Sequence, residues 1–100
     1  MESYEKLVRD NIPDILTEKG IPFEQHTASP EEYEAELLKK FEEEFKEFST
    51  DKSPEELADV IEVVEALKKL DRYKDVEAIR EKKKKEKGAF EKRVIVKGEK

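Results

Sequence analysis

Apolar residues recur at helical spacing along two stretches of this chain. Tyr33, Leu37, Leu38, Phe41, Phe45 and Phe48 follow a seam close to a heptad. Leu57, Val60, Ile61, Val63, Val64, Leu67 and Leu70 form a second series, spread more widely around the helix and so suited to the centre of a bundle. Each series opens on the same device. Ser29-Pro30-Glu31-Glu32 and Ser53-Pro54-Glu55-Glu56 place Ser at an N-cap, Pro in the first turn and Glu three residues after Ser, as in a capping box. The link between the helices, Ser49 to Lys52, is short, which predicts an antiparallel hairpin.

The flanking segments are weaker. Ile12, Ile15 and Leu16 give a short helix one apolar face, with Asp10 or Asn11 as cap, Pro13 in its first turn and Gly20 as its stop. From Ile21 to Ala28 the alternation of Phe23, Gln25 and Thr27 with Glu24 and His26 predicts extended chain. A further helix is expected from about Lys74 to Lys87, anchored by Val76 and Ile79 and ended by Gly88. Its second half is basic, which suits the negative end of a helix dipole. Arg93-Val94-Ile95-Val96 is β-prone and offers a small two-stranded element with the stretch near Phe23. Residues 97–100 are expected to be loose. The expectation is one mainly α-helical domain over residues 1–100.

Composition narrows the chemistry. The chain has 35% apolar and 48% charged residues and no Trp. Its core must be modest, and a homodimer or higher homo-oligomer is expected. With 21 basic and 27 acidic residues the net charge is −6, which argues against a nucleic-acid partner. Cys is absent and there is one His, which excludes disulfides and thiolate chemistry and disfavours a zinc site. No run approaches membrane-spanning length and the opening lacks a signal core, so a cytoplasmic protein is expected.

The most informative chemistry is acidic. Glu43, Glu44 and Glu47 lie late in the first long helix, and Glu56 and Asp59 lie early in the second. In a hairpin, late and early positions meet at the same end, so the two groups converge. Clustered carboxylates suit a hard cation, above all Mg²⁺, which bridges to phosphate; Mn²⁺ is a possible substitute. The competing reading is a solvated face on a Glu-rich helix, and Glu56 has a rival role as a capping-box acid. Glu44 and Glu47 lie nearer the apolar seam than Glu43 and rank first as ligands. Glu62, a turn further along, reads as a surface residue, with a supporting ligand as the alternative, His26 reads as incidental, and the Phe stripe as core.

With these motifs in place the chain resembles the all-α nucleoside triphosphate pyrophosphohydrolase superfamily, which includes MazG-like proteins, dimeric dUTPases and phosphoribosyl-ATP pyrophosphohydrolases. The likeness runs from Tyr4-Glu5-Lys6-Leu7-Val8-Arg9-Asp10-Asn11-Ile12-Pro13, through both acidic motifs, to Gly88-Ala89-Phe90-Glu91-Lys92-Arg93. The family's EExxE and ExxD motifs fall on Glu43, Glu44, Glu47, Glu56 and Asp59. The resemblance implies a helical bundle of the all-α NTP pyrophosphatase type and Mg²⁺ held by those five acids. It also implies hydrolysis of a nucleotide between the α and β phosphates to a nucleoside monophosphate and pyrophosphate. Glu43 or Glu47 is then the candidate acceptor of the water proton. Lys6, Arg9, Lys82 and Lys85 are candidates for the phosphates. The segment between the motifs, Phe48 to Glu55, is shorter than in many members. After Asp59 the chain reads Val60-Ile61-Glu62, without the aromatic or His residues of the phosphoribosyl-ATP enzymes. Both a house-cleaning and a phosphoribosyl-ATP-directed role stay open. So do a non-catalytic nucleotide binder and a helical interaction module.

Overall fold

A computed structural model describes residues 5–99; Tyr4, in the opening block of the resemblance, and Lys100 lie outside the described residues. Four α-helices follow in order: α1 (Ile12–Glu18), α2 (Pro30–Asp51), α3 (Pro54–Lys68) and α4 (Val76–Lys87), with one 3-10 turn at Asp71–Tyr73 before α4. The fold is mainly α.

Both Ser-Pro-Glu-Glu segments start helices as the sequence predicts. Ser29 Oγ accepts from the Glu32 amide and Ser53 Oγ from the Glu56 amide, each at 3.2 Å. These bonds satisfy amides that a helix start leaves without intrahelical partners. Asn11 occupies the N-cap of α1 but makes no side-chain cap bond. At its other end Gly20 turns left-handed, at φ 72°, while the Ile21 amide reaches back to the Leu16 carbonyl at 3.0 Å. That closure is the glycine stop expected there. Gly88, at φ 82°, ends α4 with its amide on the Lys84 carbonyl at 2.7 Å.

The hairpin link is tighter than the sequence suggested. α2 runs on through Ser49–Asp51, so only Lys52 and Ser53 lie between the helices. Lys52 makes the reversal in left-handed geometry, φ 53° and ψ 32°, with its amide on the Phe48 carbonyl at 2.7 Å. A Cβ is strained in that region, by about 1 kcal/mol. Lys52→Gly is therefore expected to stabilise the fold by roughly 0.5–1 kcal/mol, raising the melting temperature by a few degrees. A calorimetric melt that is unchanged or lower would show that the turn is not strained.

α2 and α3 pack along their length as the antiparallel pair. Leu37 and Val63, 3% and 8% exposed, are the buried apolar residues among those described. Tyr33, Phe41, Phe48, Val60, Val64 and Leu67 are half-buried around them. The N-terminal segment and α1 lie over one side of the hairpin, with Leu7, Ile12 and Leu16 half-buried.

Three expectations need correction. α3 stops at Lys68, so Leu70 falls in the turn that follows. Leu57 and Ile61 are 41% and 51% exposed, so α3 is not enclosed within one chain. No strand occurs among the described residues: the stretch near Phe23 is unpaired, and Val94, Ile95 and Val96 are exposed. A lone two-stranded ribbon has too little packing to hold itself in water, and no helix covers these segments here. No helix among those described is long and apolar enough to cross a membrane.

Candidate functional site

Three carboxylates from two helices converge at the closed end of the hairpin. Glu44 of α2 and Glu56 and Asp59 of α3 each offer an oxygen, and these atoms all lie within 4.8 Å of one another. The hairpin causes this. Glu44 sits two turns before the end of α2, and Glu56 and Asp59 sit in the first turns of α3, at equal heights on opposite sides of the turn. Glu44 is buried, 7% exposed. Its Oε2 and the Oε2 of Glu56 are buried without a hydrogen-bond partner. Such atoms lose their water and gain nothing in return, a cost that singles them out.

The electrostatics agree with the geometry. Burial raises the pKa of Glu44, opposed in part by Lys40 and reinforced by Glu47 and Asp59. Burial likewise raises Glu56, with Glu47, Asp59, Asp51 and Glu44 adding to the effect. Four acids thus oppose the charge on a fifth, which is the field a divalent cation relieves.

Cations rim the cluster from outside. Arg9 Nη2 lies 2.7 Å from Asp59 Oδ1. Lys40 Nζ lies 3.4 Å from Glu44 and 3.6 Å from Glu43, and Lys6 Nζ lies 3.1 Å from Glu43 Oε1. The hydrogen bond from Lys6 holds the Glu43 carboxyl below its usual pKa. Beside the cluster runs a groove of about 480 Å³. Leu7, Ile12 and Ile15 form one wall, Tyr33 and Leu37 come from α2, and Val63 and Ala66 from α3, with Arg9, Lys40, Glu44 and Asp59 at its polar side. Asp10, Glu62 and Lys69 also line it, so the groove is mixed, with apolar walls and a strongly charged rim.

The residues predicted from sequence divide accordingly. Glu44, Glu56 and Asp59 come together. Glu43 stands beside them but is engaged by Lys6 and Lys40. Glu47 is exposed and outside the trio, though near enough to raise the pKa of Glu44 and Glu56. It is not one of the three whose oxygens cluster within 4.8 Å, yet it lies one turn beyond Glu44 on the same face of α2. Lys6 and Arg9 reach the acids. Lys82 and Lys85 do not: both are exposed on α4 and line neither groove, and Lys82 faces Glu86 of its own helix at 4.0 Å. α4 grows from the far end of α3, where Lys68 meets Glu77 at 3.0 Å.

Sequence reasoning missed Lys40 and the groove-lining Tyr33. The signal for Lys40 was its position four residues before Glu44, which shares one helix face. A second grouping, Glu5, His26 and Glu32, lies across a smaller groove of about 370 Å³. There His26 Nε2 meets both Glu32 oxygens at 3.0 and 3.1 Å, an exposed bond that raises the His26 pKa and ties the extended segment to α2.

A scan against protein-family models, a search of the curated proteins and a search of the solved structures each gave no match.

Proposed function

We propose that the protein is a Mg²⁺-dependent nucleoside triphosphate pyrophosphohydrolase that cleaves between the α and β phosphates. The observation that carries this reading is the convergence of Glu44, Glu56 and Asp59 with two buried, unpartnered carboxylate oxygens at the side of a groove of about 480 Å³. The resemblance to the all-α NTP pyrophosphohydrolases adds the reaction class.

The donor set fits Mg²⁺: it is all oxygen, anionic and clustered, with no sulfur or imidazole among the three. Glu44, Glu56 and Asp59 would hold the ion. When bound, Mg²⁺ neutralises phosphate oxygens and lowers the pKa of a coordinated water. The chain's own residues supply the rest. Arg9 and Lys40 sit at the polar side of the groove, where a phosphate chain can take them from their carboxylate partners. Lys6 holds Glu43 in place. Glu47 is the better proton acceptor of the two candidates, because Glu43 is engaged by two lysines that stabilise its charge and weaken it as a base. The apolar walls from Leu7, Ile12 and Val63 offer a seat for the base.

The test is pyrophosphate release from a panel of deoxy, modified and ordinary nucleoside triphosphates and phosphoribosyl-ATP, with Mg²⁺ and with chelator. Release that requires the metal is the expected result, and the best substrate identifies the role. No release from any member of the panel by folded protein would reject catalysis in favour of a nucleotide-binding or interaction protein.

A further inference from the structure

Among the described residues, Asp59 is the acid of the trio held by a cation from outside the hairpin. Arg9 Nη2 lies 2.7 Å from Asp59 Oδ1, the short end of the range for a charge-assisted bond. Residues 5–9 have no regular structure and Arg9 is exposed. Its guanidinium is therefore held at Asp59 by this bond and not by packing. Lys40 differs. It is half-buried on α2 and spreads over Glu44 and Glu43 at 3.4 and 3.6 Å, so the helix itself fixes its place. Of the two cations at the cluster's rim, Arg9 is the one that can leave.

The bond has a consequence for the cluster. Glu44 and Glu56 each keep a buried oxygen without a partner, whereas Asp59 already carries a positive charge. Two cations on one carboxylate repel each other, and beside buried acids salt screens that repulsion only weakly. Arg9 thus competes with any divalent cation for the charge of Asp59. Arg9 also lines the groove. A phosphate there offers the guanidinium the same planar, two-pronged partner that a carboxylate does.

We infer that Arg9 is a placeholder cation. In the metal-free protein it occupies Asp59 and opposes the binding of a divalent cation on its own; when a phosphorylated ligand enters the groove, Arg9 transfers to the phosphate and leaves Asp59 to the cation. The inference rests on the proposed metal site but not on turnover. Its consequence is synergy. Cation and polyphosphate each strengthen the binding of the other, by the same factor, because each makes the transfer of Arg9 easier.

Calorimetric titration of the full chain tests this, with Mn²⁺ alone and inorganic pyrophosphate as probes and with allowance for the complex they form in solution. In Arg9→Gln, Mn²⁺ alone is expected to bind about tenfold tighter than in wild type. The factor by which Mn²⁺ strengthens pyrophosphate binding is expected to fall about tenfold, within the usual span of coupling between sites. Lys6→Gln is the control. It removes the same charge from Glu43, which stands outside the trio, and is expected to change Mn²⁺ affinity less than about threefold. Unchanged or weaker Mn²⁺ binding in Arg9→Gln overturns the inference, since Arg9 then only holds Asp59 in position. Equal tightening in Lys6→Gln overturns it as an effect of the general field, and tighter Mn²⁺ with the synergy intact overturns the transfer. No Mn²⁺ binding by either wild type or Arg9→Gln overturns it together with the metal site. The expected binding pattern without pyrophosphate release from any triphosphate supports it and rejects the proposed reaction.

Discussion

Glu44→Gln is expected to lower Mg²⁺-dependent pyrophosphate release at least about a hundredfold, the scale on which preorganised charge acts in a transition state, while making the metal-free protein more stable at neutral pH. The two effects have one cause. Glu44 is buried, with Oε2 unpartnered, and its pKa is raised above 4.5 by burial first and by Glu47 and Asp59 further. A carboxyl whose folded pKa is raised holds its proton more tightly in the folded state than in the unfolded one. Folding therefore carries a penalty above the folded pKa, and the penalty disappears as pH falls below the unfolded value. Gln removes it at pH 7 and changes little at pH 4. Steady-state kinetics and chemical denaturation at the two pH values check the pair of outcomes. Asp59→Asn is expected to match the loss of turnover. Unimpaired turnover in both variants would reject the site. A Glu44→Gln protein less stable than wild type at pH 7 would show that the Lys40 ion pair outweighs burial.

The second large effect is expected from the cation itself. Mg²⁺ or Mn²⁺ at a hundred times its dissociation constant should add about 2.7 kcal/mol to the folded state, which raises the melting temperature of a chain this size by roughly 10–20 °C. A bound ion would relieve the mutual repulsion of Glu44, Glu56 and Asp59, two of which hold the orphan oxygens. Because the ligands must be ionised, the shift should shrink as pH falls through the raised carboxyl pKa values and vanish near pH 4, where protons compete for the same oxygens. Differential scanning calorimetry with metal and with chelator, at both pH values, reads this directly. An absent shift at pH 7, or one that survives in Glu44→Gln, would mean that the acids are a solvated cluster and not a binding site.

Particular residues show what could be read from sequence. Ser29 and Ser53 start their helices, Gly20 and Gly88 end theirs, and the spacing of Glu44, Glu56 and Asp59 about a short link brings them to one end. Each of these depends on chain within a few residues, where backbone sterics and capping bonds decide. The link itself was misjudged because Ser49–Asp51 are polar and read as a loop, whereas a left-handed Lys52 let α2 continue. Lys82 and Lys85 were assigned by charge, which carries no information on where α4 points.

The amino-acid sequence by itself determined the helical class of this protein, its caps and stops, the pairing of α2 with α3 and the acidic character of one end. Those follow from local periodicity, which sets the angle of each side chain about its own helix. Only the tertiary structure decided that Glu44, Glu56 and Asp59 meet with Glu47 exposed beside them, and that Arg9 crosses the chain to Asp59 and Lys6 to Glu43. It alone left the face of Leu57 and Ile61 uncovered. The rotation of one helix against another is set by packing across the whole hairpin, and no short window of sequence contains it.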